Sequence, residues 1–169
     1  MEARVKILGH PVHQMLIVLP LGLLVGAVLF DIVHLITGGT QWSLVSYWLI
    51  PAGILTGLLA GVFGFADYLK IPSDTRAKRI GRLHGIGNIV VLALFALSFL
   101  VRGNPADEPS GFALLLSFVG GGLSLLTGWL GGELVDRLGV GVHDGANLDA
   151  PSSLKESHVE HPAPGRRAA

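Results

Sequence analysis

Residues 9–34 read GHPVHQMLIVLPLGLLVGAVLFDIVH, and this stretch decides the fold. From Val12 to Ile36 almost every side chain is apolar. A hydrocarbon core about 30 Å thick is crossed by roughly 20 such residues in a helix, so the stretch is a membrane span. Its polar exceptions sit at its ends: His10 and His13 at the start, Asp31 and His34 near the finish. Titratable groups are costly at membrane depth, and each one is a candidate for function. Asp31 follows His13 by 18 positions, which is about five helical turns or 27 Å along the axis. The two therefore share one face, and that face should look into a helix bundle.

The rest of the chain has the same character. Of its 169 residues 50% are hydrophobic and only 14% charged, with a mean hydropathy of +0.61. This places it in the membrane class. The formal net charge is zero, so no bulk field favours nucleic acid as a partner. The absence of cysteine excludes disulfides, thiolate metal sites and covalently attached c-type haem. Arg4 and Lys6 precede the apolar run as in a signal sequence. The run is too long for a signal core and lacks a small-x-small cleavage site, which predicts a retained anchor.

Three more spans follow, at about 42–69, 83–101 and 111–135. The second opens on Trp42, Tyr47 and Trp48, aromatics of the kind that settle at the interface. It continues through Gly53, Gly57 and Gly61. A small residue every four positions lets another helix approach, inside the bundle or across a homodimer. The expected fold is an all-α, antiparallel four-helix transmembrane bundle over 12–143. A basic segment, 1–11, precedes it and a tail, 144–169, rich in Pro, Ser, Ala and charge, follows it without a packed core. Lys70, Arg76, Lys78, Arg79 and Arg82 lie in the loop 70–82, whereas the other two loops carry at most Arg102. The positive-inside rule then puts that loop and both termini in the cytoplasm.

Laying the spans antiparallel gathers ionisable groups near the cytoplasmic surface. His10 and His13 open the first span, Asp67 closes the second, His84 opens the third and Glu133 closes the fourth. Four uses suit such a set. His13 and His84 would be the axial ligands of a b-type haem, with Arg82 beside a propionate. Alternatively His10, His13, His84, Glu133 and Asp67 would supply ligands for a divalent metal. A third use is a proton relay or small-solute carrier. The fourth is structural: pairs such as His13–Asp67 or His84–Glu133 would lock the helices together. Asp31 and His34 at the far end suit one contact across the bundle. His158 and His161 in the tail are expected to be solvated.

These residues resemble a family of small bacterial membrane proteins classed only as a domain of unknown function. The resemblance rests on GHPVHQMLIVLPLG, on Asp31, on GFADYL closing the second span and RLHGIGN opening the third. Ser98, Arg102 and GWLGGELVDRLGVGV complete it, over about residues 9–143. It implies a multi-pass protein of the bacterial inner membrane without an established enzymatic activity. Relatives joined to Rieske iron–sulfur or cytochrome-c-like modules imply a redox setting and a redox partner protein. The sequence expectation is thus a haem-b or metal-binding electron-transfer subunit, set against a purely structural polar layer or a carrier.

Overall fold

A computed structural model describes residues 1–105 and 107–155. His158, His161 and the end of the expected tail lie outside the described residues. Four helices are long and apolar enough to cross a membrane, over Val12–Thr37, Thr40–Lys70, Arg76–Arg102 and Gly111–Arg137. The chain is an all-α membrane bundle, as the hydropathy pattern requires.

The first span is made of two helices, α1 (Val12–Leu16) and α2 (Val18–Thr37). The break between them has a local cause. Pro20 has no N–H to give to the Leu16 carbonyl, and its ring crowds that carbonyl. The flanking bonds survive, from Ile17 N–H to the His13 carbonyl and from Leu21 N–H to that of Ile17. Gly38 ends α2 in the left-handed conformation, with φ of 68°, which a residue with a Cβ adopts at a cost.

Helix α3 (Thr40–Lys70) runs on through Pro51. Helix α4 (Arg76–Arg102) starts seven positions before the expected boundary at 83, so most of the basic loop is helical and the true connection is 71–75. Thr75 explains this start: its hydroxyl accepts the Lys78 N–H at 3.0 Å, a regular N-cap. Ser110 caps α5 (Gly111–Gly132) in the same way, accepting from Ala113 N–H at 3.2 Å. The last turn, Glu133–Arg137, widens to π-helical geometry.

Helix α2 packs mainly on α3, and α4 on α5, while α3 also lies along α4 and α2 along α5. Two antiparallel hairpins therefore form a square in which α2 and α4 face each other across a diagonal. Leu24, Ala27, Ile50, Val91 and Phe95 form the buried centre. The outward faces are apolar as well: Leu55, Val62, Leu100 and Leu125 are each about two-thirds exposed or more. In water such a surface would aggregate; in a bilayer it is solvated by lipid.

The expected basic segment 1–11 has structure of its own. Lys6–Ile7 (β1) and His10–Pro11 (β2) pair antiparallel, turning through Leu8 and Gly9 at positive φ. Arg4 N–H donates to the Asp67 carboxylate at 2.6 Å, and Gly141 N–H donates to the Met1 carbonyl at 2.8 Å. The described part of the tail forms short hydrogen-bonded turns, from Ala146 to His143 and from Ala150 to Asn147. Ser153 sits against Gly9, 2.7 Å from where a Cβ would lie.

Candidate functional site: two histidines across the diagonal

His13 lies in α1 and His84 in α4, and the bundle brings them together. Their ring centroids are 6.5 Å apart and their planes are nearly perpendicular, at 85°. Each ring is held from behind in the same manner. His13 Nδ1 lies 2.8 Å from the Ala60 carbonyl of α3. His84 Nδ1 lies 2.8 Å from the Thr127 carbonyl of α5. A carbonyl only accepts, so Nδ1 carries the proton in both rings and Nε2 carries the lone pair. This is how metal-binding histidines are commonly oriented, with the rear N–H given to a backbone carbonyl.

Glycine makes room for both rings. A Cβ on Gly64 would stand 2.7 Å from the His13 ring, and one on Gly131 would stand 3.0 Å from that of His84. Gly64 is four positions after Ala60, and Gly131 four after Thr127. Each imidazole therefore lies along one helical turn of its neighbour, bonded at one end and seated on bare backbone at the other.

The likeness of the two seats extends through the chain. GLLAGVFG at 57–64 matches SLLTGWLG at 124–131, 67 positions later. His13 and His84 are 71 positions apart, and so are Leu24 and Phe95, and Asp31 and Arg102. Leu24 covers Gly53 where Phe95 covers Gly120, and these glycines again differ by 67. The second hairpin repeats the first, and its equivalent residues meet across the diagonal. This repeat was legible in the sequence, but it needs two different offsets to emerge, because Asp31 and Gly53 are 22 positions apart and Arg102 and Gly120 only 18.

At the opposite end of the diagonal, Arg102 forks onto Asp31. Nη1 reaches Oδ1 at 3.0 Å and Nη2 reaches Oδ2 at 2.5 Å, with both side chains at most 2% exposed. Arg102 Nε also donates to Ser98 Oγ at 3.4 Å, and Ser98 donates to the Ala113 carbonyl at 2.7 Å. The sequence reading gave Asp31 a contact across the bundle but left Arg102 in the loop. His34 stays local, with Nδ1 3.1 Å from the Gly39 carbonyl. Ser46 and Ser117, in the same half of the bundle, have buried hydroxyls with no hydrogen-bond partner among the described residues.

The other sequence candidates are placed apart from the histidine pair. His10 is exposed in β2. Asp67 is engaged by Arg4, and Glu133 by Arg76 Nη2 at 2.6 Å; the pairs His13–Asp67 and His84–Glu133 are replaced by these and by the carbonyl bonds. Arg82, two positions before His84, leaves α4 on another side, where it is exposed and lines a pocket with Tyr68 and Arg79. Asn88, expected from its spacing to share a helix face with His84, does reach it. Its amide nitrogen lies 3.2 Å from His84 Nε2 and 2.9 Å from the His84 carbonyl, and its oxygen accepts from Thr127 Oγ1 at 3.1 Å. Among the described residues no three His, Cys, Asp or Glu side chains converge to hold a metal ion. Gly53 and Gly57 of the glycine stripe serve internal packing, against Leu24 and against Leu92 with Pro20.

The fold and site define a four-span membrane bundle with a two-imidazole centre. The model of the family described as "Predicted membrane protein (DUF2231)" matches residues 9–144, and the chain belongs to that family. No curated protein and no solved structure matches it.

Proposed function

We propose that the chain is a haem-b-binding, electron-transfer subunit of the bacterial inner membrane, with His13 and His84 as the two axial ligands. The observation that carries this reading is the pair itself: two imidazoles 6.5 Å apart, each with its rear nitrogen tied to a carbonyl. A bare divalent ion wants three or four protein donors, and the site offers two. A haem brings four nitrogens of its own, so two imidazoles complete its coordination and leave no open position for substrate. When bound it would supply one-electron chemistry, which suits transfer to a redox partner protein better than catalysis.

The diagonal supports the same reading. At one end the duplicated positions hold opposite charges, Asp31 and Arg102, which satisfy each other. At the other end they hold two like groups, His13 and His84, whose lone pairs have no mutual bond to make. A bound electrophile would supply what the ion pair supplies at the far end, taking the place of the Asn88 amide that lies 3.2 Å from His84 Nε2. A carrier fits less well, because Leu24, Ile50, Val91 and Phe95, each at most 4% exposed, fill the interior between the two polar ends. With the basic residues 70–82 facing the cytoplasm, the centre would lie in the inner leaflet.

The carbonyl bonds favour one alternative, in which the histidines only tie helices together; such bonds contribute about 0.6–2 kcal/mol each in membranes. Absorption spectra of protein purified from haem-replete membranes separate the two. The proposal expects a Soret band that His13→Ala and His84→Ala each abolish while the helical content stays. A folded, colourless wild-type protein would establish the structural role instead.

A further inference from the structure

The connection between α3 and α4 holds a second site that is independent of the histidine pair. A pocket of about 550 Å³ opens there, lined by Tyr68, Ser73, Thr75, Lys78, Arg79 and Arg82. Its cations are not equivalent. Lys78 is committed: Nζ donates to the Tyr68 carbonyl at 2.9 Å and stands 3.9 Å above the Tyr68 ring. Arg79 and Arg82 are exposed, and neither guanidinium has an ion pair or a hydrogen bond to another described residue. Asp74 also lines the pocket, on a left-handed backbone with φ of 64°, and it pairs with none of these cations.

The neighbourhood of the pocket specifies what kind of anion it suits. One turn deeper than Arg79 on the same helix is Leu83, and one turn deeper than Arg82 is Ile86. They are 56% and 54% exposed, and on α3 Phe65 and Leu69 are 62% and 53% exposed. A doubly cationic mouth thus stands directly above an apolar strip on both helices. A free phosphate would use only the mouth; a phospholipid would use mouth and strip together. Basic pockets between membrane helices recognise anionic headgroups in this way.

We infer that this pocket binds the headgroup of an anionic phospholipid, with Arg79 and Arg82 gripping the phosphate and the acyl chains lying along Leu83 and Ile86. The test measures the affinity of the detergent-purified full-length chain for a fluorescent phosphatidylglycerol. Arg79→Gln with Arg82→Gln should weaken binding on the order of tenfold or more, from the attraction of two basic residues. Lys70→Gln with Arg137→Gln, which removes the same charge from the same end of the bundle, should leave binding nearly unchanged. Inorganic phosphate should displace the lipid only poorly. Equal loss in both double variants would show a diffuse basic surface and overturn the site. Displacement by phosphate as effective as by unlabelled phosphatidylglycerol would overturn the lipid as its occupant, and no binding by the wild type would overturn both.

Discussion

Asp31 and Arg102 are the most deeply buried charges in the bundle, and their energetics follow from their isolation. Removing one partner leaves the other desolvated, and such a break costs about 3–5 kcal/mol. Asp31→Leu and Arg102→Leu should each destabilise the protein by about that amount in detergent unfolding, whereas the two together should recover most of it. Additive losses in this double-mutant cycle would contradict the pairing. Arg76–Glu133 is the useful contrast: Arg76 is 51% exposed, so Arg76→Gln should cost at most about 1 kcal/mol. The histidine seats make a third test. Gly64→Ala and Gly131→Ala would place a methyl 2.7 Å and 3.0 Å from the two rings, so each should weaken retention of the proposed haem with the helices intact. Asp31 was legible in the sequence, since an acid amid apolar residues demands a partner. Arg102 was not, because it ends an apolar run as any flanking arginine does. Only the fold shows its long side chain turning back into the bundle.

At the scale of elements, hydropathy located every span and missed what caps them. The start of α4 depends on the Thr75 hydroxyl, a local bond that no hydropathy average registers, and so the basic residues 76–82 join the helix. The break at Ile17 follows from Pro20, four residues on from the Leu16 carbonyl it cannot serve. The N-terminal hairpin was invisible to the sequence reading, because two-residue strands carry no periodic signal. Its attachment combines backbone bonds with an electrostatic part around Glu2, and that part should respond to pH. The Lys6 ammonium, 2.5 Å from Glu2, holds the Glu2 carboxyl below its ordinary value of 4.5, with some desolvation opposing it. His143 Nε2 lies 3.2 Å from the other Glu2 oxygen and adds attraction when protonated. A carboxyl lowered on folding contributes stability that is present above its unfolded pKa and lost as pH falls through the folded one. Protection from amide exchange in residues 1–11, measured against the intrinsic rate at each pH, should therefore fall below about pH 4.5, and Glu2→Gln should show the lower protection at neutral pH. Identical pH profiles in the two proteins would show that the hairpin is held by its backbone bonds alone.

At the scale of the whole molecule, the chain is one helical hairpin written twice, and the duplication explains why the diagonal matters. Equivalent residues meet there: an ion pair at one end, leucine against phenylalanine in the centre, two histidines at the other end. The sequence displayed each of these residues and suggested pooling most of the titratable groups into one layer. The fold divides that layer instead, giving the buried Asp67 to the N-terminal segment and Glu133 to Arg76, and leaving the two half-buried imidazoles as each other's neighbours. Orientation is open to a direct check, since the chain has no cysteine and any introduced thiol is unique. Ser73→Cys should react with an impermeant maleimide only from the cytoplasmic side, and Gly38→Cys only from the opposite side; the reverse pattern would invert the bundle. The account turns most of all on the two imidazoles acting as one centre, and titrating the purified apoprotein with haem measures this most directly. It predicts saturation at one haem per chain, with a six-coordinate spectrum that disappears when His13 and His84 are both alanine; a titration in which the wild type and that double variant bind alike would contradict it.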